Sequence, residues 1–415
     1  MNIKNKKIII VTPRFPFPPK GACDDDRSEG ILWFLRDGFD VVVITKVQNQ
    51  DKADESVRIG KEIGVPIFPV IYRADRGDES FIKRLFLRMK NPLFIDGAAF
   101  EYSDPEIKNI FQEKMSSFKP DYVYFDYTYL WPLYKIVKKN HIPIITRSIN
   151  FEPVHFLEED GYSFFNIFKF LFKCISEILT VCRSDFLFSI TPKEEKIYKY
   201  LGAKNIANLP LRGLHKYIGK GPEILPKEKL NVFFAGSTYN VSHNMAALEF
   251  IIKKIASKIE NQMPGKFVFN ITGAKMPDNM KQFFSDKIIY HGYVNNMDEF
   301  VKNMDIALIP SLFGAGMQQK IFEPLCRGIP TITSERGIAG YPFKDEKHLL
   351  YADTVEEYVE ALKKIAEFDV RKIIAKNSID LCRSIFSQDL INFIIRRGIK
   401  DIEKNTAPIN IKILF

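Results

Sequence analysis

Short runs rich in Ile, Val, Phe and Tyr alternate with helix-length amphipathic segments along this chain, and the alternation runs through twice. That rhythm belongs to βαβ units, in which each buried parallel strand returns through a crossover helix. In the first half, strands are predicted at Lys7–Thr12, Asp40–Thr45, Ile67–Ile71, Asp121–Asp126, Ile142–Thr146 and Asp185–Ile190. The second half restarts at Leu230–Ala235 and continues through Phe267–Thr272, Lys287–His291, Asp305–Pro310 and Pro330–Thr333, with His348–Ala352 added. At 415 residues the chain exceeds what one hydrophobic core usually serves. The expected fold is α/β, with two Rossmann-like domains built on parallel sheets.

Between the two runs, Gly213, Gly219, Gly221, Pro222 and Pro226 break any regular period. The expected division is a first domain over 1–212, a linker over 213–229 and a second domain over 230–386. After residue 353 the pattern turns helical, over Val355–Phe368, Val370–Ile385 and Gln388–Lys404. Residues 387–415 form a C-terminal helix and tail, the helix expected to pack back on the first domain.

Composition excludes several classes. Sixty Lys and Arg against 51 Asp and Glu leave a charge of +9, which favours anionic partners such as phosphates or an acidic lipid surface. The basic residues are spread out and form no nucleic-acid reader motif, so nucleic acid is not an expected partner. Cys23, Cys174, Cys182, Cys326 and Cys382 are odd in number and lack the paired spacing of a zinc site, which points to reduced thiols in a cytoplasmic protein. Ile8–Val11 is too short for a signal h-region. Lys169, Lys173, Glu177, Arg183 and Asp185 interrupt the most apolar stretch, Phe164–Ile190, so no membrane span is expected.

Open α/β sheets bind ligands beyond the carboxyl ends of their strands. The richest such segment, residues 311–341, follows Asp305–Pro310. Gly314 and Gly316 let the backbone approach a ligand, and a helix starting near Met317 aims free N–H groups at it. A cation in the first helical turn, Lys320, opposes the macrodipole unless a negative group lies nearby, and a diphosphate supplies one. Glu323, one turn on, has two readings: an acceptor for vicinal ribose hydroxyls, or an i,i+3 ion-pair partner of Lys320.

The string GAGMQQKIFEPLCRGIPTITSERGIAGY resembles the donor-site segment of family 4 of the retaining glycosyltransferases, in the branch whose segment runs G-x-G-M/I-Q-N-K-x-x-E-x-x-x-x-G-x-P. Only Gln319 departs, where Asn is usual. The resemblance extends over nearly the whole chain through FFAGSTYNVSHNMAALEFI, ITGAKMP and HGYVNNMDEFVKNMDIALIPS, and in the first half through PRFPFPPKGACDDDRSEGILWFLRDGFDVVVIT and RSINFE. It implies a GT-B fold, two Rossmann-like domains facing each other across a cleft. It also implies a nucleoside diphosphate sugar as co-substrate, no other cofactor, no metal, and transfer to a hydroxyl with retention.

Carried over by residue, the resemblance implies that Glu323 holds the donor ribose and that Gly316, Met317, Gln318 and Gln319 meet the diphosphate and sugar. Gly236 and Ser237 line the same pocket, Gly292, Tyr293 and Val294 lie near the base, and Gly21 approaches the sugar. Arg147, Asn150, Glu152 and Lys320 are the catalytic candidates. Ile149 stands where the family places a histidine, with His155 as a substitute candidate. Ala315 stands where many members carry an acid. Gly236–Asn244 holds no Lys or Arg, where many relatives place a basic pair, which leaves Lys320 as the nearest charge for the diphosphate and Arg212 and Arg147 as helpers.

Asp24, Asp25 and Asp26 contain the spacing of a metal-binding carboxylate pair, against which stands the plainer role of acids at a helix N-terminus. Ser80–Phe94 and Phe164–Ile175 mix aromatic residues with Lys and Arg, as interfacial helices do and as core-facing amphipathic helices also do. The expected function is a glycosyltransferase of surface polysaccharide or glycolipid synthesis. Its acceptor is a glycan or lipid-linked sugar, and it works in the cytoplasm with peripheral contact at an acidic membrane. The alternatives are a non-hydrolysing sugar-nucleotide epimerase and a non-catalytic nucleotide-sugar-binding subunit.

Overall fold

A computed structural model describes residues 5–77, 79–313 and 316–406. Gly314, Ala315 and the tail with Pro408 lie outside the described residues. The chain divides into two compact units, one of 1–212 with 391–415 and one of 213–390.

The first unit holds seven parallel strands: β1 (Lys7–Thr12), β2 (Asp40–Val47), β3 (Ile67–Ile71), β4 (Tyr122–Phe125), β5 (Ile144–Arg147), β6 (Phe186–Ser189) and β7 (Ile206–Asn208). Their order is β3-β2-β1-β4-β5-β6-β7. β7 was absent from the sequence expectations; its three residues are all half-buried, and so short a run at a sheet edge carries too little apolar signal. β1 and β4 are buried throughout or nearly so, as strands covered on both faces must be. The core gathers Ile8, Ile10, Phe34, Val43 and Tyr124 with Ile391, Ile395, Ile399 and Ile402. Those last four repeat every three to four residues along the helix Gln388–Thr406, whose apolar stripe completes this core.

The second unit holds β8 (Leu230–Thr238), β9 (Phe267–Ala274), β10 (Ile288–Tyr290), β11 (Ile306–Ile309), β12 (Thr331–Thr333) and β13 (Leu350–Tyr351), in the order β10-β9-β8-β11-β12-β13 and again parallel. The stretch 213–229, expected as a linker, lies within this unit. Its Gly219 N–H donates to the Cys326 carbonyl at 2.9 Å, and the Lys220 carbonyl accepts from Arg327 at 3.4 Å. No helix among the described residues is long and apolar enough to cross a membrane.

Candidate nucleotide-sugar site

In each sheet the strand order reverses once, between β1 and β4 and between β8 and β11. At such a point the connections leave to opposite sides and open a crevice beyond the strand ends.

In the second unit the chain leaves β8 through a register shift between Ala235 and Thr238, with Ser237 at φ 59°. The buried Tyr239 ring folds under this turn, its hydroxyl donating to the Thr272 carbonyl at 2.7 Å. A Cβ at Gly236 would fall 2.4 Å from that ring and one at Gly273 2.7 Å from it, so only glycine fits either place. The helix Ser242–Phe250 follows, with no side chain capping its first turn. From β11 the chain passes Ser311, Gly316 at φ 80° and the buried Met317 into the helix Gln319–Arg327, two residues later than the start expected near Met317. Its cap residue, Gln318, makes no capping bond and instead donates through Nε2 to Ser311 Oγ at 3.1 Å. Two helix N-termini without a side-chain cap thus lie beside the same strand ends.

Lys320 Nζ donates to Asn244 Oδ1 at 2.8 Å and lies over the Phe234 ring. Among the described residues no carboxylate pairs with it, and burial pushes its pKa down to about 8. A half-buried cation between two positive helix ends is unfavourable unless an anion joins it. Glu323 does not pair with Lys320. Its Oε1 accepts from Arg327 Nε at 3.1 Å and Nη2 at 2.8 Å, and its Oε2 accepts from Gln319 Nε2 at 3.2 Å. Arg327 also reaches Asp298 and stacks on Tyr217 at 4.5 Å, so the carboxylate is held in place and the ammonium is left open. Phe233, Ala235, Met297 and Val301 wall the hollow that Lys320 and Glu323 line. The Gly292 carbonyl accepts from Gly273 N–H at 2.8 Å, which joins the ends of β9 and β10, and the Tyr293 ring is 67% exposed beside the half-buried Val294. The second unit therefore brings Gly236, Ser237, Gly316–Lys320 and Glu323 to the β8/β11 switch point, and Gly292–Val294 to the neighbouring strand ends.

In the first unit Gly21, at φ 120°, precedes the helix Ala22–Arg36. Asp26 is buried between two arginines, Arg147 Nε at 2.9 Å and Arg212 Nη2 at 2.9 Å, and accepts the Arg212 backbone N–H at 2.7 Å. Burial works against its charge, but Arg147 and Arg212 outweigh it and hold the carboxyl well below the usual range. Arg147, a catalytic candidate from the sequence, is one of these two arginines. Its side chain has no exposure, and the bonds to Asp26 and to the carbonyls of Leu209 and Pro210 leave its guanidinium committed to the fold. Arg212 is bonded to Asp26 and to the Tyr124 hydroxyl. Asp24 accepts two bonds from Arg14, so the acids of the triplet that the helix buries answer to arginines. Ile149 is buried. Asn150 Nδ2 donates to Tyr127 Oη at 3.4 Å, and burial raises the Glu152 carboxyl against the opposing pull of Lys173 and His155. His155 itself pairs with Glu159 at 3.5 Å. A hollow of about 550 Å³ opens beside the β1 loop, lined by Arg14, Phe15, Lys20, Lys46 and Lys52 among others.

Sequence reasoning missed Asn244 and Tyr239, since nothing local ties Asn244 to a lysine 76 positions later. The Glu323–Arg327 pair was legible as i,i+4 spacing.

Two parallel-sheet Rossmann-like units, each with one switch point, define a GT-B architecture, and at the switch point of the second unit Lys320 stands one turn from a carboxylate held by Arg327 and Gln319. Residues 229–367 match the family model described as "Glycosyl transferases group 1". Among solved structures, the chain is similar to a glycosyltransferase from Rickettsia africae at 14% identity and TM-score 0.67, covering 97% of this chain and 100% of that one. It is similar to Anabaena HepE in complex with UDP-glucose at 11% identity and TM-score 0.61, covering 95% and 99%. It is also similar to sucrose-phosphate synthase from Thermosynechococcus elongatus at 12% identity and TM-score 0.64, covering 97% and 100%. No curated protein matches the sequence.

Proposed function

We propose that this chain is a retaining glycosyltransferase of the family 4 type that moves a sugar from a nucleoside diphosphate donor to a hydroxyl. The observation that carries the reading is Lys320, a half-buried ammonium without a carboxylate partner among the described residues, set between two uncapped helix starts with Glu323 one turn away. A diphosphate supplies the missing negative charge, and Glu323, fixed by Arg327 and Gln319, accepts from ribose hydroxyls. The family match over 229–367 and the likeness to a UDP-glucose complex support the donor class.

In the proposed step the acceptor oxygen bonds to the anomeric carbon on the face from which the diphosphate leaves, and a phosphate oxygen takes the hydroxyl proton. Lys320 and the free N–H groups of the helix start at Gln319 meet the charge that develops on the leaving diphosphate. No metal is assigned to the step. Asn150 and Glu152 are proposed to orient the acceptor, a glycan or lipid-linked sugar of a surface polysaccharide or glycolipid. The enzyme is proposed to work in the cytoplasm and at the inner face of the cell membrane.

A thermal-shift panel of nucleotide sugars tests the reading. A ligand at 100 times its dissociation constant stabilises by about 2.7 kcal/mol, and the absence of any shift across the panel overturns it. Incubation with the donor identified then separates the alternatives: an epimerase converts it with no acceptor present, and a binding subunit turns nothing over with any acceptor extract.

A further inference from the structure

The helices Phe81–Lys90 and Phe164–Arg183 of the first unit turn their apolar faces outward. Of the 21 large hydrophobic side chains exposed among the described residues, 12 lie on these two helices, so the exposure is concentrated and not scattered. The first helix buries none of its ten residues, and Phe81, Ile82, Leu85, Phe86 and Met89 form one stripe. The second presents Phe164, Phe168, Leu171, Ile175 and Ile178 at helical spacing, with Phe165 and Ile167 beside them.

The second helix is inside out. Its buried face is largely polar: Ser176 donates to Asp96 at 3.0 Å, Thr180 to the Thr128 carbonyl at 2.7 Å, and Glu177 accepts from Thr128 at 2.7 Å and Tyr198 at 2.9 Å. With these bonds made inside, the helix cannot turn its phenylalanines to the core without stranding buried polar groups. Both helices pack on the same turn, Pro92–Ile95, so they lie near one another on the surface of the unit.

Cations outnumber acids along the stripe. Lys83, Arg84, Arg88 and Lys90 lie on the first helix, which has no acid, and Lys169, Lys173 and Arg183 on the second, whose one acid is the buried Glu177; from outside the helices, Glu79 pairs with Lys83 at 3.6 Å and the buried Asp96 with Lys173 at 3.2 Å. We propose that this face docks the first unit on an anionic lipid bilayer, with the aromatic and aliphatic side chains entering the acyl boundary and the cations at the headgroups. A second copy of the chain is the poorer occupant. A twofold interface sets each patch against itself and brings a surplus of cations onto the same surplus. The inference gives a surface to the membrane contact in the proposed function and does not depend on the donor site.

The test is flotation of the full chain with vesicles of equimolar phosphatidylglycerol and phosphatidylcholine, and with phosphatidylcholine alone, at low and high salt. Binding is expected to the anionic vesicles and to weaken with salt. Phe81→Ser with Phe165→Ser is expected to abolish it, and Lys83→Glu with Lys90→Glu to weaken it by about fivefold or more per cation. Each variant is also checked for the wild-type melting temperature and nucleotide-sugar shift, which none of these exposed substitutions should move. Failure of wild type to bind anionic vesicles overturns the proposal, as does equal binding to neutral ones. A concentration-dependent dimer that the same phenylalanine variants dissociate overturns it in favour of self-association. A protein that binds vesicles but shifts with no nucleotide sugar leaves this inference standing and removes the donor-site reading.

Discussion

Lys320 Nζ and Asn244 Oδ1 stand 2.8 Å apart and join the first turns of two helices that follow β11 and β8. The bond links residues 76 positions apart and sets the ammonium where both helix dipoles are positive, the setting on which its proposed role toward a diphosphate rests.

The lysine's lowered pKa gives a signed pH dependence. Its folded value of about 8 lies below the ordinary 10.5, so the free protein pays for the charged form below pH 8, and the difference vanishes as pH rises toward 10.5. Lys320→Met is expected to stabilise the ligand-free protein at pH 7 by roughly 1–3 kcal/mol, read by urea unfolding, with the gain shrinking at higher pH. Donor affinity runs the other way. It should fall as pH rises through about 8 in wild type and stay level in Lys320→Arg, measured by titration calorimetry.

Glu323→Ala should remove donor binding and leave the fold intact. It strips one partner from the buried Arg327 guanidinium, which keeps Asp298, so a loss of about 2 kcal/mol in stability is expected. Circular dichroism melts and the nucleotide-sugar panel check both halves, and wild-type affinity for every nucleotide sugar that binds would count against the ribose role.

Asp26→Asn leaves Arg147 and Arg212 buried without their counter-charge. A loss of about 3–5 kcal/mol is expected, compared by chemical denaturation. Because the carboxyl is held below its unfolded value, its contribution is present above the ordinary carboxylate range and is lost as pH falls through it, so the gap between wild type and variant should narrow in acid.

Gly236→Ala drives a methyl into the Tyr239 ring, 2.4 Å from where its Cβ would sit. The turn after β8 must shift, at a cost of about 1–3 kcal/mol, and with it the start of the helix bearing Asn244. KM for the donor should rise, and an unchanged KM would detach this turn from the donor site.

Arg147 and Ile149 show where sequence pattern stops being informative. The spacing of RSINFE located the end of β5, but a motif cannot distinguish an arginine that meets substrate from one that neutralises Asp26, 121 positions earlier. The phenylalanine-rich helix Phe164–Arg183 is a second case: its periodicity was plain, and both a core-facing and an interfacial reading fitted it. Only the direction of Ser176, Glu177 and Thr180 toward the interior shows which face looks outward.

What the sequence determined by itself was local. Alternating apolar runs and helical periods set the strands and crossovers, the breakers set where the second run restarts, and the glycines with Lys320 and Glu323 set an anion-ready helix start, all within a few residues of one another. The tertiary structure decided the pairings: Lys320 with Asn244 in place of Glu323, and Asp26 with Arg147 and Arg212. The physical reason is that a charge buried by the fold takes its partner from whatever the sheet order brings beside it, and in both sheets that order places next to one another strands lying far apart in the chain.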